Sequence, residues 1–273
     1  MDMHRAIVES CDVYFYQVGE AVGVDKLAAY AQALGLGSRT KIRLDNESKG
    51  LIPTAEWKRK RFGEPWHRGE TLSIAIGQGF NLVTPLQMAT LVAAVANGGT
   101  LYRPIIVKAI ETADGGIVRD GAPYIAGRLN ISEKTLSIIR KGLWGVVNGD
   151  RGTARGSRLK GIEMSGKTGT AQVVGRKKGE DFSKKKDEEV EHQFKDHAWF
   201  VAYAPSEDPV IAVAVIVEHG EHGSSAAAPV AKKVIQFYLD NKDDGYKVEQ
   251  SDNLKIEPKE QLSLLEGRTS NIQ

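Results

Sequence analysis

Apolar residues recur at helical spacing along the early part of the chain and at strand-like density later. Ile7, Cys11, Phe15 and Val18 fall three and four apart. They form one face of a helix from Ala6 to Val18, which Val22 extends. Gly19 and Gly23 loosen its end. Asp25 then caps a helix from Lys26 to Leu34, and Gly35 and Gly37 stop it. Lys41 to Leu44 reads as a short strand. Thr54 is the N-cap of a short helix that carries Lys58, Arg59, Lys60 and Arg61. That basic run reads as a solvated face, with an anionic-substrate role as the minority reading. Thr71 to Ile76 alternates as a strand and enters a tight turn, Gly77-Gln78-Gly79. Thr84-Pro85-Leu86-Gln87 has the features of a capping box, with proline at the first helical position. The helix runs to Asn97, and its apolar stretch Leu91 to Ala96 belongs in a core.

Tyr102 to Thr112 reads as a strand, Asp114-Gly115-Gly116 as a hairpin turn, and Ile117-Val118 as the return. Ser132 caps an amphipathic helix reaching about Val147. Asn148 to Ala154 is a turn-rich loop, and Ile162 to Val174 contains the central strand. Lys177 to Lys195 is charged and poor in apolar residues, which predicts a mobile excursion. Ala198 to Ala204 and Val210 to Val217 are strands whose short connection makes them antiparallel neighbours. Pro229 to Leu239 is a closing helix. Helices, then strands, then a last helix predict an α+β fold, with an antiparallel sheet packed by helices. Residues 1–240 form the folded domain, and 241–273 a polar, disordered tail.

Composition narrows the function only slightly. The 273 residues carry a net charge of +2, so bulk charge gives no support to nucleic-acid binding. Cys11 is the single cysteine, which excludes an internal disulfide and a zinc site built from cysteines alone. No apolar stretch is long enough to span a membrane. Charge interrupts the first apolar run, so no signal-peptide pattern is visible. The chain enters an apolar helix within a few residues, as though cut from something longer.

The chemistry concentrates in Ser165-Gly166-Lys167-Thr168-Gly169-Thr170-Ala171-Gln172-Val173-Val174. Lys167 supplies charge, Thr168 and Thr170 supply hydroxyls, and Gly169 lets another backbone approach. That combination suits the edge strand of an active site. Two motif readings compete there. Gly161 to Thr168 satisfies the phosphate-loop pattern G-x-x-x-x-G-K-[ST]. A phosphate loop, however, needs a strand before it and a helix after it. Arg155 to Lys160 is no strand, and Gln172-Val173-Val174 favours strand over helix. The other reading is the K-T-G element of the S-x-x-K, S-D-N and K-T-G set of class A β-lactamases and penicillin-binding proteins. Ser10-Cys11-Asp12 stands where the second element belongs. On its own, Ser10 is an ordinary polar residue on an amphipathic helix, and Cys11 a buried helix-face residue.

More blocks extend the match. They are Ser10 to Tyr16, Glu56 to Phe62, Gly77-Gln78-Gly79, Thr84 to Met88, Gly152-Thr153-Ala154, Ser165 to Val173, and Asp196-His197 before Tyr203-Ala204-Pro205. In this order they resemble the transpeptidase domain of class B penicillin-binding proteins, most closely the elongation-specific penicillin-binding protein 2 branch. The resemblance runs from Ala6 to about Leu239. It implies acyl transfer from the D-Ala–D-Ala end of peptidoglycan stem peptides by a serine that β-lactams also acylate. It places Ser10 and Lys167 in the proton relay and gives Thr168 and Thr170 the substrate carboxylate. The Thr170 N–H becomes half of an oxyanion hole, and the peptide lies along the Lys167-Thr168-Gly169 strand. Asp12 replaces the usual asparagine of the second motif and matches the branch variant.

The resemblance also implies elongation-complex membrane proteins as partners, and the periplasmic face of a bacterial inner membrane as the location. It implies a structural zinc in the longer protein, with Cys11 as the only candidate ligand here. One thiolate cannot hold zinc in a four-ligand site. The family's nucleophile, in an S-x-x-K motif upstream of Ser10, has no counterpart. Ser38 to Lys41, Ser157 to Lys160 and Ser183 to Lys186 match the spacing by accident, in turns or charged loops. The expectation is therefore a partial transpeptidase domain, inactive alone and poorly stable with sheet edges uncovered. The competing expectation is a non-catalytic penicillin-binding relic or partner-binding fragment.

Overall fold

A computed structural model describes residues 1–114, 116–173 and 192–241. Two units divide the chain, Met1–Tyr238 and Leu239–Gln273, and all the chemistry above lies in the first. Six helices come first: α1 (Met3–Val8), α2 (Asp12–Val22), α3 (Val24–Ala33), α4 (Ala55–Phe62), α5 (Arg68–Ala75) and α6 (Pro85–Ala96). Four short strands follow: β1 (Thr100–Tyr102), β2 (Ala109–Glu111), β3 (Ile117–Asp120) and β4 (Ile125–Arg128). Then come α7 (Glu133–Asn148), β5 (Ser165–Ala171), β6 (His197–Ala204), β7 (Ile211–Val217) and α8 (Ala228–Asn241).

The main sheet has the order β5-β6-β7, and both pairings are antiparallel. Lys167 lies opposite Val201 and Thr170 opposite Ala198. α7 packs against β5, and α6 against β6 and β7. Phe200, Tyr203, Met164, Leu136, Val146, Val147 and Ile235 are fully buried. The α+β expectation therefore holds. β5 is an edge strand, as its residue types suggested, and not the central strand also read over Ile162 to Val174, because only β6 pairs with it among the described residues. β1 pairs with β4 and β2 with β3 as separate antiparallel ribbons.

Capping chemistry was read well. The Thr84 hydroxyl accepts from the Gln87 N–H at 3.1 Å while the Gln87 carboxamide accepts from the Thr84 N–H at 2.9 Å. The Thr54 hydroxyl caps α4 and the Ser132 hydroxyl caps α7, each accepting from the N–H three residues on. Other expectations give way to tertiary context. The single helix from Ala6 to Val22 is two helices, broken at Glu9-Ser10-Cys11. Thr71 to Ile76 is helical, not a strand. The Glu70 carboxylate holds the His67 N–H at 2.7 Å, and Thr71 and Ile74 are buried one helical turn apart. Asp25 lies in the first turn of α3 behind Gly23, and its carboxylate accepts from the Ala55 N–H at 3.0 Å. Lys41 to Leu44 is no strand, because Lys41 and Arg43 hold φ of 63° and 67°. The Glu47 carboxylate collects the Thr40 and Lys41 N–H groups there.

The strand predicted over Tyr102 to Thr112 splits into β1 and β2 around Pro104, which has no N–H for a ladder. Lys58 leaves the solvated basic face. It is buried and pairs with Glu70 at 2.5 Å. Gly115, the excursion from 177 to 191 with its Ser183-Lys186 match, and the tail beyond Asn241 lie outside the described residues. His192–Phe194 forms a 3-10 turn before β6.

Candidate active site

Ser10 is presented by a helix terminus. α1 ends in a Schellman motif: the Cys11 N–H reaches the Ala6 carbonyl at 2.9 Å, and the Ser10 N–H reaches Ile7 at 3.3 Å. The residue between must be left-handed, and Ser10 has φ of 54°. Glycine is the usual occupant, so a serine here carries backbone strain of about 1 kcal/mol. The chain turns directly into α2, whose first residue is Asp12. Ser10 is therefore exposed at a corner, not buried along a helix face.

α1 lies on α7, and α7 lies on β5. Closeness is set by two glycines of α7. A Cβ on Gly145 would come within 2.6 Å of Val8, and one on Gly142 within 2.9 Å of Ile7. This stack brings Ser10 to Lys167, 157 residues later, where the Lys167 ammonium donates to the Ser10 hydroxyl at 2.8 Å. The same ammonium donates to the Thr168 carbonyl at 3.0 Å. Burial pushes the Lys167 pKa down from 10.5 to about 8, and the negative charge of Asp12 opposes part of that shift. A lysine near neutrality can both give and take a proton at physiological pH.

Thr168 is held from the other side. Its hydroxyl meets that of Thr153 at 3.0 Å. Thr153 rides on the loop after α7, and Arg158 ties that loop down. The Arg158 guanidinium donates to the carbonyls of Val147, Asn148 and Gly149, the unpaired end of α7. Thr153 was visible as part of Gly152-Thr153-Ala154, but nothing in its spacing announced a hydroxyl pair across the site. Thr170 is exposed on the outer edge of β5. Its carbonyl accepts from the Gln78 carboxamide at 2.7 Å, and the Gln172 N–H donates back to Gln78 at 3.1 Å. Gln78 belongs to the predicted Gly77-Gln78-Gly79 turn, where both glycines have positive φ. The close backbone approach expected at Gly169 comes from the π turn Gly223–Ala227. There, a Cβ on Gly223 would meet the Gly169 carbonyl at 2.7 Å.

The phosphate-loop reading fails on local structure. Lys167-Thr168 continues as β5 to Ala171, where a phosphate loop would already have opened a helix. Ser38 and Lys41 line a separate cavity of about 310 Å³ beside Tyr102 and Arg103, and Ser157 is buried in a 3-10 turn. Neither serine is hydrogen-bonded to Ser10 or Lys167. Cys11 is a free thiol at the N-cap of α2. Among the described residues no three His, Cys, Asp or Glu side chains are grouped to hold a metal ion. Among the described residues the donor set around Cys11 does not fit zinc.

A sequence profile of the penicillin binding protein transpeptidase domain matches residues 1–236. The chain belongs to the penicillin-binding protein transpeptidase family. A curated relative, peptidoglycan D,D-transpeptidase MrdA of Haemophilus influenzae, is 38% identical over 243 residues. The match covers 88% of this chain and 37% of that relative. The chain thus spans a little over a third of such a transpeptidase. Pseudomonas aeruginosa PBP2 in complex with WCK 5153 superposes with a TM-score of 0.71 at 38% identity, covering 88% of this chain and 49% of the other. PBP2 of Helicobacter pylori, in a complex with MreC, gives 0.73 at 33% identity, covering 88% and 40%. The penicillin-binding transpeptidase blocks read from the sequence all lie inside the matched region.

Proposed function

We propose that this chain carries the second and third motif groups of a peptidoglycan D,D-transpeptidase acting in cell-wall elongation. The Lys167–Ser10 hydrogen bond, joining two otherwise weak motifs across 157 residues, carries this reading. The acylated serine and its base lysine come from an S-x-x-K segment outside these residues. That serine attacks the carbonyl of the D-Ala–D-Ala bond. Ser10 passes a proton to the departing amine of D-alanine, and Lys167 resupplies Ser10, its lowered pKa easing the exchange. The Thr168 and Thr170 hydroxyls hold the terminal carboxylate of the peptide or of a β-lactam. The Thr170 N–H faces the developing oxyanion, and Gly169 keeps the strand free of a side chain. Asp12, at the start of α2, keeps part of the positive charge on Lys167.

The substrates are stem peptides, and the partners are membrane proteins of the elongation machinery at the periplasmic face of the inner membrane. The relatives' names support the substrate class, and the MreC complex of a similar protein supports the partners. A structural zinc in the longer protein would take Cys11 as one of its ligands. The folded domain ends near residue 240.

Intact-mass labelling with a penicillin tests the proposal. The full-length protein takes up one equivalent, at a serine outside these 273 residues. Ser10→Ala and Lys167→Ala each slow acylation by about 100-fold or more. An unlabelled full-length protein, or an adduct mapped within this chain, overturns it.

A further inference from the structure

We infer that Gln78 is a positioning residue for the oxyanion donor, and that its carboxamide stands in for the next residue of an added strand on the edge of β5. The inference rests on the transpeptidase reading above. In an antiparallel ladder, successive residues direct their N–H and C=O alternately toward the partner strand and away from it. The Thr170 carbonyl is bonded to Gln78 and so points away from β6. The Thr170 N–H therefore points away as well, into the groove where the substrate carbonyl must sit.

Gln78 takes the two edge groups just beyond that N–H. Its Nε2 donates to the Thr170 carbonyl at 2.7 Å, and its Oε1 accepts from the Gln172 N–H at 3.1 Å. Bonding to a carbonyl and to the N–H two residues on is what a single residue of a parallel neighbouring strand does. β5 has no strand on this side among the described residues, so without Gln78 the peptide plane after Thr170 would be held only from the β6 side. The carboxamide is delivered by a rigid turn. Gly77 and Gly79 take φ of 83° and 69° on either side of it, and the Gln78 N–H itself bonds the Ser73 carbonyl at the end of α5. The Asn81 carboxamide fastens the same turn to the Ile74 carbonyl at 3.0 Å.

Two consequences follow for the reaction. The Thr170 N–H is preorganised before substrate arrives, which is the condition for strong oxyanion stabilisation. The groove is also closed at Gln172, so a bound peptide pairs with the Thr168–Thr170 stretch and no further.

The test is stopped-flow acylation of the full-length protein by a chromogenic cephalosporin, separating the acylation rate constant from the apparent dissociation constant. Gln78→Ala is expected to lower the rate constant by about tenfold, with affinity changed less than twofold. Gln78→Glu keeps the length and the contact to Gln172 N–H but sets a carboxylate oxygen against the Thr170 carbonyl. It is expected to show the same loss with an unchanged melting temperature, so the reading survives even if the alanine variant folds poorly. Gln78→Asn, one methylene shorter, is expected not to rescue. Acylation at the wild-type rate, or faster, in Gln78→Ala or Gln78→Glu overturns the inference; a faster rate would make Gln78 an obstruction. If the wild-type protein itself is not acylated, the transpeptidase reading has failed instead.

Discussion

Ser10 pays a conformational cost for its position. Its φ of 54° is one that glycine adopts freely, and the Schellman hydrogen bonds leave no alternative. Ser10→Gly should therefore stabilise the fold by about 0.5–1 kcal/mol relative to Ser10→Ala, since both lack the hydroxyl and differ only in that strain. Denaturant unfolding of the two variants checks this, and equal midpoints would mean the turn carries no strain. The sequence could not reveal this corner. Ile7, Cys11, Phe15 and Val18 keep helical spacing straight through it, and no glycine or proline marks the break. The chemistry at Lys167 was legible because lysine, threonine and glycine came together beside an apolar run. Gln78 and Thr153 were not, because each acts through a backbone or hydroxyl partner brought near only by the fold.

At the scale of elements, the site depends on how closely α1 sits on α7. Gly142 and Gly145 permit that closeness, and α7 in turn sets the height of α1 above β5. Gly145→Ala forces Val8 aside and moves α1 with Ser10. The expected cost is about 1–3 kcal/mol of stability, from overpacking. The Lys167–Ser10 hydrogen bond should be lost before the fold is, so acylation of the full-length protein falls while its circular dichroism stays native. Native acylation in a stable Gly145→Ala protein would mean that α1 is positioned by something else. Helix ends with side-chain caps, at Thr54, Thr84 and Ser132, were legible from local chemistry. α5 was not: its alternating Thr71 to Ile76 satisfies a strand pattern, and only the Glu70 contact to His67 and the packing of Ala75 on Gly19 of α2 settle it as helix.

For the whole molecule, the half-buried Lys167 couples stability to pH. Its folded pKa of about 8 lies below the unfolded value of 10.5. Between those values the unfolded chain holds more protons, so this residue's contribution to stability rises with pH across that window and is flat below it. Unfolding of wild type and Lys167→Met between pH 7.5 and 10.5 should show the difference shifting in favour of wild type as pH rises. Asp12→Asn should extend the window to lower pH, because the charge that opposes the shift is gone. A difference independent of pH would place Lys167 in solvent. The antiparallel sheet with helices around it was legible from the order of elements, and the edge position of β5 from its lysine, threonines and glycine; the apolar pattern around it, which looks alike at an edge and in a centre, pointed equally to a central strand.

The span of 157 residues between Ser10 and Lys167 also governs when the site can exist. At about 5–20 residues per second, a ribosome needs roughly 10–30 s after adding Ser10 before Lys167 is made. Every nascent or prematurely terminated chain in that interval displays the serine corner with no ammonium beside it. On the proposed transpeptidase reading, full reactivity toward a β-lactam therefore requires synthesis past β5, and a product truncated before it should be acylated about 100-fold or more slowly however well its helices have formed.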